Sequence, residues 1–270
     1  MPLLQPALIL LFTALTFAAF LWTGRLRLLR EEFPTLWRFA LALLLLAAIL
    51  AIVVWQPTVS PGEAADVDPA TMWFPELFTG HLFIAIFLQA WWMLGWPVPL
   101  RRFLRLEGAT MQDVYFGLLV GVVGWVFALA ASSLVSGVLY LTGWLPGAAG
   151  GTSELLQVPP LMSWLSDLAV GDKLIVVAVA MTVEEAFYRG FLQPRVGWIP
   201  SSILFALSHA GYGMPNLLAS VLMISLVIGW AFRRAGNLVP CIVAHGVFDA
   251  VQLLIVMPLA IDELRKLTPG

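Results

Sequence analysis

Two thirds of the way along the chain, Glu184-Glu185-Ala186-Phe187-Tyr188-Arg189 sets two carboxylates near a guanidinium. Successive residues of a helix point about 100° apart, so Glu184 and Glu185 cannot share one task. Glu185 and Arg189 stand at i, i+4 with the acid on the N-terminal side, the favourable order for an ion pair. Glu185 is then neutralised by Arg189, and Glu184 is the carboxylate left for chemistry, flanked at i+4 by Tyr188. A plainer reading pairs both acids with Arg189 at a surface. His245 and Asp249 are also at i, i+4, so the carboxylate orients the imidazole or both ligate a metal. His209 closes a short apolar segment; a lone histidine there is either a packed, hydrogen-bonded residue or a third member of the set. A carboxylate beside an imidazole can activate a water, and a second imidazole can stabilise a developing oxyanion. The reaction these groups suit is hydrolysis of a peptide or related acyl bond. The H-E-x-x-H, G-x-S-x-G, P-loop and G-x-G-x-x-G patterns are absent. Ser208 faces away from its neighbour His209, and Cys241, the single cysteine, leaves a Cys–His pair with His245 as a minor alternative.

These residues need elements to hold them. Of 270 residues, 61% are hydrophobic and 11% charged, with a mean hydropathy of +0.93. An average soluble domain carries about 25% charged residues. The expected fold is therefore all-α, a polytopic membrane helical bundle. A net charge of −2 gives no general basic character for nucleic acid, and one cysteine excludes a disulfide framework. Spans of about 20 apolar residues fit at 3–22, 38–55, 78–97, 114–142, 169–192, 198–211, 215–232 and 238–259, eight in all. The first lacks a basic leader and a cleavage site and reads as a retained span. The fourth is too long for one perpendicular crossing and is expected to tilt or to break near Gly137 or Gly143. Gly117, Gly121 and Gly124 lie near one stripe of it and predict close helix packing. His81, near the outer end of the third span, falls in the headgroup zone and receives no role.

Orientation follows from charge. Arg25, Arg27, Arg30, Arg38, Arg101, Arg102, Arg105, Arg189, Arg195, Arg233 and Arg234 all fall on alternate sides of the spans. The intervening loops 56–77 and 143–168 hold acids and no Lys or Arg. The arginine side is cytoplasmic and both termini lie outside, which an even number of spans satisfies. Several of the twelve Trp sit near span ends, as an interfacial belt does. Ionisable residues within spans cluster in the C-terminal third, where each costs about 2.5–3.5 kcal/mol to insert and points to function. Counted from the cytoplasmic ends of the spans, Glu184 lies about 12 Å deep, His245 about 10 Å, and His209 and Asp249 about 16 Å. Three helices thus bring acid and imidazole groups to similar depth.

In order along 169–255, Glu184-Glu185-x-x-x-Arg189-Gly190, Phe205-x-x-x-His209 and His245-x-x-x-Asp249 resemble the CPBP family. This is the group of type II CAAX prenyl proteases and bacteriocin-processing intramembrane proteases. The resemblance divides the chain into N-terminal helices without catalytic motifs, 1–145, and a catalytic core, 165–260. It implies a glutamate-type intramembrane endopeptidase, of a kind long called metalloproteases. Glu184 and His209 would activate water, His245 and residue 249 would form the oxyanion site, and Glu185 and Arg189 would support them. The eukaryotic branch carries Asn where this chain has Asp249. An ionised Asp cannot donate to an oxyanion, so Asp249 is protonated, orients His245, or binds metal. In the last case Glu184, His209, His245 and Asp249 would ligate a divalent ion such as zinc; the metal-free form is the expectation. The partners implied are the bilayer and a membrane-associated protein or peptide substrate, with the oligomeric state left open. A bacterial inner membrane, with the site in its cytoplasmic half, is the expected location. The contrasting readings are a non-catalytic immunity or regulatory binding protein and a proton-relaying transporter.

Overall fold

In the apolar core of a membrane no water satisfies the backbone, so a spanning chain bonds its own N–H and C=O groups within helices. The computed structural model describes residues 25–59, 73–95, 98–143 and 160–267, and among them there is no strand. The expected span 3–22 lies outside the described residues. The main helices are α1 (Arg25–Glu31), α2 (Leu36–Leu50), α3 (Thr79–Leu94), α4 (Met111–Leu141), α5 (Val170–Glu185), α6 (Trp198–Ser208), α7 (Pro215–Ala235), α8 (Val239–Val251) and α9 (Met257–Leu267). Five continuous helical stretches are long and apolar enough to cross a membrane: Leu36–Thr58, Phe74–Leu94, Met111–Leu141, Pro215–Ala235 and Val239–Lys266. The protein is an integral membrane protein. Two of the eight expected spans fall short of that measure for clear reasons. The stretch from α5 onward carries Asp172, Lys173, Glu184, Glu185 and Arg189. Helix α6 has 11 residues, about 16 Å of rise, half the thickness of a hydrocarbon core.

Helix α4 runs unbroken through Gly137. A capping box at Thr110 and Asp113 starts it, and Gly143, at φ +72°, ends it in the left-handed region that favours glycine. Its 31 residues extend about 46 Å, so it tilts or projects beyond a core of about 30 Å. It packs along both α7 and α8. A Cβ on Gly117 would stand 2.7 Å from Val243 Cβ, and one on Gly121 2.7 Å from Val247 Cβ and 2.9 Å from the Ala244 carbonyl. The glycine stripe is therefore what lets α8 approach. Gly121→Ala is expected to push α8 away and lower stability by about 1–3 kcal/mol. Thermal unfolding in detergent checks this, with Gly137→Ala, which meets nothing within 4 Å, as the silent control.

Three helices contain a wide π turn: Ala51–Trp55 after α2, Ala186–Leu192 after α5 and Gln252–Val256 after α8. The last two adjoin the chemistry-bearing residues, where such turns are frequent. Around the second, Glu185 and every residue from Phe187 to Gln193 are buried. A helix buried all round is a central one. Its Phe187 and Phe191 rings meet Phe87 and Trp91 of α3 at 4.8–5.7 Å. One apolar cluster thus joins α2, α3, this turn and α6, and a second joins α4, α7 and α8. The N-terminal helices wrap the C-terminal ones instead of standing apart.

Candidate active site

The i, i+4 spacing at the end of α5 produces the ion pair it predicts. Arg189 Nη1 lies 3.0 Å from Glu185 Oε1, and both side chains are sealed from solvent. Arg189 Nη2 also donates to Ser225 Oγ at 2.9 Å, and its guanidinium lies over the Phe205 ring at 4.4 Å. Glu185 has a further partner that its spacing does not announce. Its Oε1 is 2.8 Å from His245 Nδ1, 60 residues away in sequence.

His245 therefore sits between the two adjacent carboxylates. Nδ1 faces Glu185, while Nε2 is 3.9 Å from Glu184 Oε2 and 3.3 Å from Asp249 Oδ2. The divergence of neighbouring helical residues lets the two acids approach opposite edges of one ring. His245 Nε2 is the nitrogen aimed at the Glu184 side, and Asp249 is close enough to fix the plane of the ring.

His209 stands at the C-terminus of α6, where the chain turns through Ala210–Tyr212 toward α7. Its Nδ1 is 3.0 Å from the Phe205 carbonyl oxygen and 3.2 Å from Ser208 Oγ, so Ser208 meets the neighbour it is expected to face away from, because His209 lies just past the end of α6. A carbonyl only accepts, so Nδ1 carries a proton in that contact. Phe205, four residues earlier, touches His209, His245 and Tyr188 at centroid distances of 4.9, 5.7 and 5.0 Å. The aromatic of F-x-x-x-H is thus the wedge between the two imidazoles. Tyr188 is buried beside Ser208 and within electrostatic reach of Glu184.

The polar groups fall into two tiers by exposure. Glu185, Arg189, Tyr188 and His245 are buried; Glu184, His209 and Asp249 are partly open. A fourth partly open group joins them from outside the expected set. His81, on the first turn of α3, places Nε2 3.1 Å from Glu184 Oε1. Its place in the sequence predicts no role for it. No spacing rule links residues 103 apart; the only signal was that His81 is one of just three histidines in the chain.

Depth can be counted along the helices. From their arginine-rich ends, His245 is about 9 Å in, Asp249 about 15 Å, His209 about 16 Å, Glu184 about 18 Å and His81 about 20 Å. The value for Glu184 exceeds the expected one because its helix continues past Leu192 through Val196. Among the described residues, no three of His, Cys, Asp and Glu are arranged to hold a metal ion.

A helical membrane protein with buried carboxylates and imidazoles meeting from separate helices is the class that fold and site define. Residues 167–251 match the family model described as type II CAAX prenyl endopeptidase Rce1-like, so that part of the chain is similar to this protease family. The match covers about a third of the chain and includes Glu184, Glu185, Tyr188, Arg189, His209, His245 and Asp249. No curated protein and no solved structure matches the chain.

Proposed function

We propose that this protein is a glutamate-type intramembrane endopeptidase that hydrolyses a peptide bond of a membrane-associated protein or peptide. The observation that carries the proposal is the division of the site. Partly open Glu184 and His209 stand beside a buried Glu185–Arg189–His245 support. In this reading, Glu184 takes a proton from a water that Nε2 of His209 orients. The hydroxide adds to the scissile carbonyl carbon, and the carbonyl electron pair moves onto oxygen. His245, held through Nδ1 by Glu185, turns its Nε2–H from Asp249 to donate to that oxyanion. The C–N bond then breaks as Glu184 returns its proton to the leaving amine. Asp249 acts by orienting His245, a reading that the 3.3 Å contact supports. We further propose eight spans with the arginine loops in the cytoplasm, a bacterial inner membrane as the location, and a site in the cytoplasmic half to middle of the bilayer.

The test compares peptide termini across the membrane proteomes of a strain with the chain and one lacking it. Defined termini present only with the chain identify a protease and its substrate, including whether that substrate carries a prenyl group. Purified protein should then make the same cut in reconstituted vesicles, undiminished by a zinc-selective chelator. Loss of the cut with chelator and its recovery with zinc would replace this mechanism by a metal-dependent one. Identical termini with the protein expressed would favour the non-catalytic binding protein.

A further inference from the structure

We propose that His81 is a positioning residue of this site, its Nε2–H holding Oε1 of Glu184 so that Oε2 is left directed at the reacting water. The proposal rests on the reading of Glu184 as the base. It adds a residue from α3, outside the segment that matches the protease family.

The chain has three histidines, and all three stand around Glu184 or its immediate partners. Arg189, the nearest cation in sequence, is committed to Glu185. Glu184 is left with a mostly buried carboxylate, its side chain 14% exposed, and His81, 20% exposed, is the donor that meets it. An ionised carboxylate only accepts hydrogen bonds, so a proton on Nε2 makes this contact a donation from His81. The contact engages one oxygen alone. Oε1 is 3.1 Å from His81, while Oε2 points toward His245 Nε2 across 3.9 Å. Such one-sided anchoring fixes the carboxylate plane without consuming the oxygen that must take a proton.

The fold secures the anchor as well. Phe87 and Trp91 of α3 pack edge-on against Phe187 and Phe191 of the π turn. These contacts set the register of α3 against the helix carrying Glu184. His81 lies six residues before Phe87, and Glu184 three before Phe187, so the aromatic lock places one beside the other. A misplacement of about 1 Å at a reacting group costs on the order of 100-fold in rate.

The experiment uses full-length protein in detergent micelles with ¹⁵N-labelled histidine. Three imidazole spin systems are expected, assigned by single His→Gln variants. His81 Nε2 should be protonated, and its resonance should move when Glu184 becomes Gln. Kinetics on the peptide cut by wild-type protein supply the second arm. His81→Leu should lower kcat about 10- to 100-fold with KM within about twofold. His81→Gln, whose amide nitrogen can take the place of Nε2, should restore most of that loss. A His81 resonance indifferent to Glu184→Gln, or a folded His81→Leu with wild-type kcat, overturns the proposal. Should Glu184→Gln keep full activity, the assignment of the base fails instead, and the resonance shift still decides the contact. Thermal unfolding of both His81 variants separates a lost anchor from a lost fold.

Discussion

Glu184→Gln is expected to cut turnover by about 10²- to 10⁴-fold, the range that a positioned base contributes. The side chain keeps its length and can still accept from His81, but it no longer takes a proton from water. The change removes function and spares the structure, because the buried ion pair of the site belongs to Glu185 and Arg189. The thermal midpoint in detergent should therefore stay close to wild type while the specific termini disappear from the membrane proteome. A folded variant that retains full cleavage would end the claim that Glu184 is the base. Loss of folded protein would show that Glu184 holds the structure, contrary to its partly open position.

The opposite pattern is expected at the neighbouring ion pair of Glu185 and Arg189. Arg189→Met leaves Glu185 buried with its charge uncompensated, and breaking a buried pair in this way costs about 3–5 kcal/mol. Both side chains are essentially sealed from solvent, so water cannot restore what the guanidinium supplied. The double variant Glu185→Leu/Arg189→Met removes both charges and should recover most of that stability, since apolar replacement of a buried pair is often neutral or better. It should not recover cleavage, because His245 Nδ1 loses the oxygen now 2.8 Å away. Thermal unfolding and the cleavage assay together read this out. A double variant as unstable as Arg189→Met, or one that cleaves normally, would show that the pair does not divide its work between holding the fold and orienting His245.

What could be read from the sequence was whatever lies along one helix. The Glu185–Arg189 pair and the His245–Asp249 contact both come from i, i+4 spacing, and the glycine stripe of α4 from its small-residue pattern. Phe205 was legible as a motif letter, though its place between two imidazoles was not. Contacts between helices were out of reach. Glu185 with His245 and Glu184 with His81 are set by how the helices pack, which spacing within either partner does not encode. Hydropathy delivered the membrane class but not a full count of spans. The helix that carries the chemistry is also the one whose charges weaken its hydropathy, and α6 is too short to register as a crossing.

The wide turn at Ala186–Leu192 has a consequence for how this chain can change over time. A π turn amounts to one residue inserted into an α-helix, and it rotates everything beyond it by about 100° relative to everything before. Glu184 and Glu185 lie before that step, while Tyr188 and Arg189 lie within it. Most insertions and deletions are absorbed by loops, but a single-residue deletion here would reset the phase of the helix. It would turn the carboxylates away from the guanidinium and the imidazoles without altering any of those side chains. Length at this point therefore constrains the chain as tightly as residue type does, and the site tolerates substitution around the turn better than slippage through it.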